Sequence, residues 1–193
     1  NATGCAEEII RAYGISFTAS EVVGRELLQD RLNGRNDAAL SQRLIDSGLI
    51  DFIPLQGEAE HHFEELVSGA ARETLDDGEA ATLALAVATS RHAILDEKKA
   101  IRISTVRYPS VELVSTSDIL ASTKVKEALG MERVGEALFR ALQDARMRVQ
   151  ERHYQWVIEL LGNRVQQCRS LPAFVRERTK STGPESASFL NVA

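Results

Sequence analysis

Short apolar runs alternate along the chain with longer stretches in which apolar residues recur every three or four positions. The short runs are rich in β-branched residues and predict strands, whereas the periodic stretches predict helices. The strands are expected at residues 15–19, 49–55, 93–95 and 111–114. Because helical patterns separate these strands, the alternation favours an α/β domain with a mainly parallel sheet.

The helices are expected to begin at capping residues and to end at glycines. Thr3 and Ser20 are the predicted caps of the first two helices. The last helix carries Trp156, Val157 and Leu160 on one stripe, which packs either on its own domain or against a second copy in a homodimer. The expected helices cover residues 3–13, 21–33, 37–46, 58–71, 79–91, 98–105, 116–129, 131–144 and 150–161.

Composition narrows the class of protein. The chain has 193 residues, of which 44% are hydrophobic, so it can bury one core. No apolar run approaches the roughly 18–20 residues of a membrane span, and no signal peptide is expected, since the residues from Asn1 onward show no basic-then-apolar pattern. The two cysteines, Cys5 and Cys168, are too few for a disulfide scaffold. We therefore expect a cytoplasmic protein without a membrane partner.

The net charge of −5 is unevenly distributed. Residues 1–92 carry 16 acidic and 7 basic side chains, and residues 93–193 carry 12 acidic and 16 basic ones. Such a split suits a carboxylate cluster that holds a metal beside a surface that meets phosphate. Solvated helix faces of mixed sign explain the same counts equally well.

Three carboxylates lie where a parallel α/β sheet places its ligands, at strand ends or on helices next to them. Asp96 follows the strand at 93–95, Glu79 opens the preceding helix, and Glu26 lies on the helix after the first visible strand. Grouped together, they would suit Mg²⁺ or Mn²⁺, which prefer oxygen ligands. Like charges so close should raise the pKa of at least one of them.

Each of these acids also has a structural interpretation. Glu26 can be a solvated side chain, Glu79 can stabilise a helix start, and Asp96 can cap the helix that follows it. The pair His61 and His62 is more typical of a surface pair than of a zinc site. The residues alone therefore predict an α/β domain with a candidate acidic site.

The stretch LDDGEAATLALAVATSRHAILDEKKAIRIS, residues 75–104, resembles the second half of a PIN domain. It is most similar to the subgroup with a Gly-Glu-Ala helix and a strand that ends in Leu-Asp-Glu. The segments 18–27, 111–129 and 141–162 are similar to further parts of that family. The resemblance implies a three-layer α/β/α sandwich over residues 1–162, with a helical C-terminal end. The composition of residues 163–193 predicts a basic extension that ends in a flexible tail from residue 181.

The resemblance also implies a metal-dependent nuclease, and many proteins of the family are ribonuclease toxins paired with an antitoxin. By resemblance, Glu26, Glu79 and Asp96 are catalytic and bind Mg²⁺ or Mn²⁺, with Glu97 as an auxiliary metal ligand. Thr116 lies on the Ser/Thr turn beside such sites. Thr116 is expected to contact the RNA substrate, together with the basic residues Lys98, Lys99 and Arg102, which would bind its phosphates.

The chain departs from the family pattern at its beginning. PIN domains start with a central strand that ends in Asp, whereas the segment from Asn1 to Gly4 resembles the start of the next helix. Either that strand and its Asp, a fourth carboxylate, lie upstream of Asn1, or the chain is a degenerate relative that no longer cuts RNA. Without the strand, its two neighbours in the sheet would keep unpaired backbone groups.

Two functions follow as expectations. The first is an endoribonuclease that hydrolyses RNA by two-metal in-line displacement and leaves 5′-phosphate and 3′-hydroxyl ends. The second is a catalytically inactive PIN-like module that binds a protein partner or RNA. A DNA-directed nuclease stays open, since metal chemistry does not depend on the sugar. The acidic total argues mildly against avid nonspecific binding of nucleic acid.

Overall fold

A computed structural model describes residues 2–30 and 37–178. Helices and short parallel strands alternate along them, so the chain has the α/β fold predicted from the hydrophobic pattern. The strands are β1 (Phe17–Ser20), β2 (Ile50–Ile53), β3 (Ala93–Ile94) and β4 (Leu113–Val114). The helices are α1 (Ala6–Tyr13), α2 (Glu21–Asp30), α3 (Asp37–Asp46), α4 (Glu58–Val67), α5 (Asp77–Thr89), α6 (Lys98–Arg107), α7 (Thr116–Ala121), α8 (Thr123–Gln143), α9 (Tyr154–Leu161) and α10 (Ala173–Glu177).

The four strands form two separate parallel pairs among the described residues. β1 pairs with β2, so that Phe17 lies opposite Ile50, and β3 pairs with β4, so that Ala93 lies opposite Leu113. Helix α5 packs against both β1 and β3 and thereby connects the two pairs. Whether a further strand precedes Asn1 stays a prediction.

A cleft of about 410 Å³ lies between the two strand pairs. Its lining includes Phe17 and Thr18 of β1, Ile94 of β3 and Leu85 of α5. In a parallel strand, the backbone N–H and C=O of one residue point to the strand on one side, and those of the next residue point to the other side. Since the N–H of Phe17 donates to the Leu49 carbonyl and that of Ala93 to the Glu112 carbonyl, the backbone groups of Thr18 and Ile94 face the cleft. The cleft is therefore bordered by two strand edges.

Side-chain caps set several helix starts. The Ser20 hydroxyl accepts a hydrogen bond from the backbone N–H of Val23 at 3.4 Å, which confirms Ser20 as the cap of α2. The predicted cap Thr3 is wrong, because α1 begins only at Ala6, with Cys5 before it. The helix predicted at 116–129 is broken, since Ser122 has extended backbone and caps a new helix, α8, at Val125.

Two apolar clusters form the core. One surrounds α5, most of whose alanines are buried, and it includes side chains of α4, α6 and the β3–β4 pair. The larger cluster joins α1, α7, α8 and α9, and it includes Val157, which is fully buried, with Trp156 and Leu160 packed at its margin. The stripe of α9 therefore packs on its own chain, while a homodimer stays a prediction.

The larger cluster continues beyond Gly162. Four buried side chains, Val165, Cys168, Leu171 and Val175, belong to it and follow the predicted domain boundary. The boundary itself stays a prediction, and the tail predicted from residue 181 lies outside the described residues, as does the predicted helix end near Asn33. Among the described helices, none has the length and apolarity needed to cross a membrane.

Candidate active site

Asp96 directly follows the β3 strand and is held by a single neighbour, Thr116. Its Oδ1 accepts a hydrogen bond from the Thr116 backbone N–H at 2.8 Å, and its Oδ2 accepts one from Thr116 Oγ1 at 2.6 Å. Burial raises the pKa of the Asp96 carboxyl, the Thr116 hydrogen bonds lower it, and the nearby Asp118 and Glu97 carboxylates raise it, so that the pKa lies above its ordinary value. Asp96 therefore does not cap α6, which was its structural alternative.

Thr116 reaches Asp96 because the chain turns sharply after β4. Ser115 is the N-cap of α7 and forms a capping box with Asp118, in which each side chain bonds the other's backbone N–H. This turn directs the N–H and hydroxyl of Thr116 out of the helix start toward β3. The expected Ser/Thr turn beside the acidic site is therefore a hydrogen-bonded unit that fixes Asp96.

Glu79 lies in the first turn of α5, as predicted. Burial raises the pKa of the Glu79 carboxyl, and the carboxylates of Asp76 and Glu97 raise it further, while Lys99 lowers it in part. Glu97 also raises the pKa of Asp96. A shared neighbour of like charge places Glu79, Glu97 and Asp96 in one electronegative region.

Glu26 reaches the start of the same helix from α2. Its carboxylate lies against the Cα of Gly78, where any larger side chain would collide with Oε2. Glu26 of α2 thus lies beside the first turn of α5, which carries Glu79. The structure brings Glu26 to α5, and Glu79 and Asp96 to a common region around Glu97.

The basic residues predicted to meet RNA have different surroundings. The Arg102 guanidinium donates to the Arg72 carbonyl at 2.6 Å and so holds the loop before α5. Lys98 opens α6, and Lys99 is close enough to Glu79 to lower its pKa. The roles of all three in binding RNA stay predictions.

The donor set suits a hard divalent cation in chemistry, since half-buried carboxylates with raised pKa values gain most from a nearby positive charge. In arrangement, however, it is incomplete: among residues 2–30 and 37–178, no three acidic, histidine or cysteine side chains are grouped closely enough to hold a metal ion. Glu97 is engaged with the Arg148 guanidinium at 2.7 Å. Glu26, Glu79 and Asp96 as metal ligands therefore stay predictions.

Four residues beside this site were missed by the sequence analysis. Arg148 pairs with Glu97, while Arg152 and His153 both bond Asp118. The Asp118 position had a signal, because Ser115-Thr-Ser-Asp118 has the spacing of a capping box. Arg148, Arg152 and His153 lie about 50 or more residues after Asp96 in sequence. No local pattern marks any of them as a neighbour of the site.

A comparison with protein families adds the decisive observation. A family model described as a PIN domain matches residues 8–163, which is most of the chain. The chain belongs to the PIN-domain family. No curated protein and no solved structure gives a significant match.

The PIN domain explains the sequence resemblance and the α/β fold together. PIN domains are generally nucleases, and they typically use divalent metal ions. The matched residues contain Glu26, Glu79, Asp96 and Thr116, so the candidate site lies within the PIN domain of this chain.

Proposed function

We propose that this PIN domain is a metal-dependent endoribonuclease. The observation that supports it best is the shared electronegative region of Glu79 and Asp96. Both carboxyl groups have a raised pKa, and Glu97 contributes to the shift of each. A protein keeps such an unfavourable group of charges where a cation or a reaction uses it.

In this proposal, Glu79, Asp96 and Glu26 would hold Mg²⁺ or Mn²⁺. When bound, the ions would supply a water nucleophile of lowered pKa and neutralise charge on the scissile phosphate. Thr116 keeps both Asp96 oxygens in a fixed orientation. Lys98 and Lys99, at the start of the adjacent α6, would bind phosphates of the RNA on either side of the scissile bond.

The finer aspects of this function are also proposals. Because the sequence resembles the toxin subgroup of the family, we propose that the protein is a toxin that acts in the cytoplasm and pairs with an antitoxin. RNA is preferred over DNA as substrate on the same ground. The metal chemistry itself does not separate the two substrates.

A second function, a catalytically inactive PIN module that binds RNA or a protein, has its own support. The described residues contain no ready cluster of three metal ligands, and Glu97 is paired with Arg148. Both oxygens of Asp96 already accept hydrogen bonds from Thr116. A module of this kind would keep the acidic turn for its structure and would not cut RNA.

Cleavage of labelled RNA by the full-length protein, with Mn²⁺ or with EDTA, separates the two functions. We expect Mn²⁺-dependent cleavage that falls at least 10²-fold in Asp96→Asn and in Glu79→Gln, since each removes a charge from the reacting centre. Glu73→Gln is the matched control, because Glu73 is an exposed acid paired with Arg72. RNA binding without cleavage by the wild-type protein would favour the inactive module, and a parallel DNA substrate tests the sugar preference.

A further inference from the structure

The segment between α8 and α9 contacts acidic residues beside the candidate site. Residues 148–153, which we call the arm, pair with two of these acids. Arg148 pairs with Glu97, which follows Asp96 in sequence, and Arg152 pairs with Asp118, which lies two residues after Thr116. The arm thus touches both chain segments that hold Asp96.

Asp118 is the most heavily bonded acid among the described residues of the site. Its Oδ1 accepts hydrogen bonds from Arg152 Nε at 3.1 Å and from His153 Nε2 at 2.6 Å, and its Oδ2 accepts one from Arg152 Nη2. Burial alone would raise the pKa of Asp118, but these bonds and those from Ser115 hold it well below its usual range. Asp118 is therefore an anion with every oxygen engaged.

The same carboxylate also fixes the turn that holds Asp96. Asp118 Oδ2 accepts hydrogen bonds from the backbone N–H of Ser115 at 2.8 Å and from the Ser115 hydroxyl at 2.7 Å. The next residue, Thr116, makes both hydrogen bonds to Asp96. A continuous path of hydrogen bonds and one peptide link therefore runs from the arm through Asp118 to the oxygens of Asp96.

We propose that Asp118 is a positioning residue for Asp96, which it orients through the Ser115–Thr116 turn while Arg152 and His153 of the arm orient Asp118. Asp118 itself does not touch the substrate in this proposal. As far as catalysis is concerned, the inference rests on the proposed nuclease function. The positioning of Asp96 does not depend on that function and is measured separately.

The competing interpretation is that Asp118 only fastens the arm to α7. The chain provides a matched control for this, because Glu136 binds two arginines in the same half of the molecule. Glu136 accepts hydrogen bonds from Arg140 at 3.1 Å and from Arg164 at 2.8 Å, and within residues 2–30 and 37–178 no such bond links these three side chains to Asp96. Glu136→Gln therefore removes a comparable pair of ionic contacts away from the site.

The direct test is amide hydrogen exchange of the metal-free protein, followed by NMR. The Thr116 N–H reports the hydrogen bond to Asp96, and the Ala93 N–H, bonded to Glu112, reports the β3–β4 pair. We expect Asp118→Asn to speed exchange at Thr116 at least tenfold relative to Ala93, and Glu136→Gln to leave the ratio unchanged. Asp118→Glu keeps the charge and a capping-box residue and should restore much of the protection.

Cleavage kinetics give the second measurement. Loss of a residue that orients a catalytic carboxylate typically costs about 10–100-fold in activity. We expect Asp118→Asn to lower kcat by this factor with KM little changed, with partial rescue in Asp118→Glu. Unchanged exchange at Thr116, or equal losses in Asp118→Asn and Glu136→Gln, would overturn the proposal. If the wild-type protein cleaves no RNA, the nuclease function fails, and the exchange ratio alone decides whether Asp118 positions Asp96.

Discussion

Gly78 determines how closely Glu26 approaches α5. A Cβ at this position would collide with the Glu26 carboxylate, so the absence of a side chain lets the two elements meet. In sequence, Gly78 is simply the residue before Glu79 in a Gly-Glu-Ala motif. The structure gives that glycine a spatial reason that composition and spacing alone do not provide.

We predict that Gly78→Ala displaces Glu26 and lowers RNA cleavage by roughly 10²-fold, since about 1 Å of misplacement near a reacting centre has effects of that size. Alanine favours helix over glycine by about 0.5–1 kcal/mol, which offsets part of the clash, so the Tm should change little. Gly135→Ala is the control, because a Cβ there meets Leu160 only at 3.5 Å. Full activity of Gly78→Ala would remove Glu26 from the site.

The raised pKa values of Glu79 and Asp96 also predict a pH dependence of stability. A folded pKa above the unfolded value means that the folded protein binds more protons between the two. The contribution of Glu79 and Asp96 to the stability of the metal-free protein is then largest below about pH 4, near the unfolded pKa, and falls as the pH rises through the folded pKa.

Glu79→Gln removes one of the two charges responsible. Its metal-free Tm should therefore exceed that of the wild-type protein at pH 7, and the two should converge below about pH 4. Thermal melts in EDTA across this pH range measure the difference. A Tm difference between the two proteins that stays constant across the pH range would mean that the Glu79 pKa is not raised in the folded protein.

At the scale of whole elements, the sequence predicted the type of every described strand and of helices α1 to α9, whereas α10 was not predicted. Periodicity located α3 at its observed bounds, and the short apolar runs located β1 to β4 within a few residues. The main miss was the break between α7 and α8. Ser122 lies within an apolar-periodic stretch, and only its extended backbone shows that it caps a second helix.

The contacts of the arm could not be predicted from local pattern. Arg152 and His153 are separated from Asp118 by 34 and 35 residues, and Arg148 lies 51 residues from Glu97. Periodicity describes which face of an element is apolar, but not which element a charged side chain will meet. The carboxylates of the site were found only through their family resemblance and their places at strand and helix ends.

The segment after α9, which includes α10, provides a further prediction. Val165, Cys168, Leu171 and Val175 are each buried in the larger core cluster. Burial of a large apolar side chain contributes roughly 1.5–3 kcal/mol, so their combined loss is comparable with a typical stability of 5–15 kcal/mol. A chain that ends at residue 162 should therefore fail to show a cooperative thermal transition.

The control for this truncation ends at residue 178, because it keeps every buried residue that the structure describes. Circular dichroism melts of the two chains make the comparison. A cooperative transition of the 1–162 chain at the Tm of the 1–178 chain would show that the core does not need the residues after Gly162.

For the molecule as a whole, the charge split predicts where RNA binds. Lys98→Ala and Lys99→Ala should each weaken binding about equally across RNA sequences and reduce the slope of log affinity against log salt by about one. Arg102→Ala should instead loosen the loop that it holds at Arg72. Binding is measured by salt titration in an Asp96→Asn background, and an unchanged slope in both lysine variants would place RNA elsewhere.

The cleft between the two strand pairs affects how rigidly the acids of the site are held relative to one another. Glu26 belongs to the half built on β1, Asp96 to the half built on β3, and Glu79 to the helix that bridges them. The distances between these three acids therefore change whenever the two halves move relative to each other about α5. Neighbouring strands lie about 4.8 Å apart, so a strand that paired with both Thr18 and Ile94 would hold the halves about 10 Å apart. The distance between the acids would then be set by backbone hydrogen bonds far more rigid than the side chains themselves.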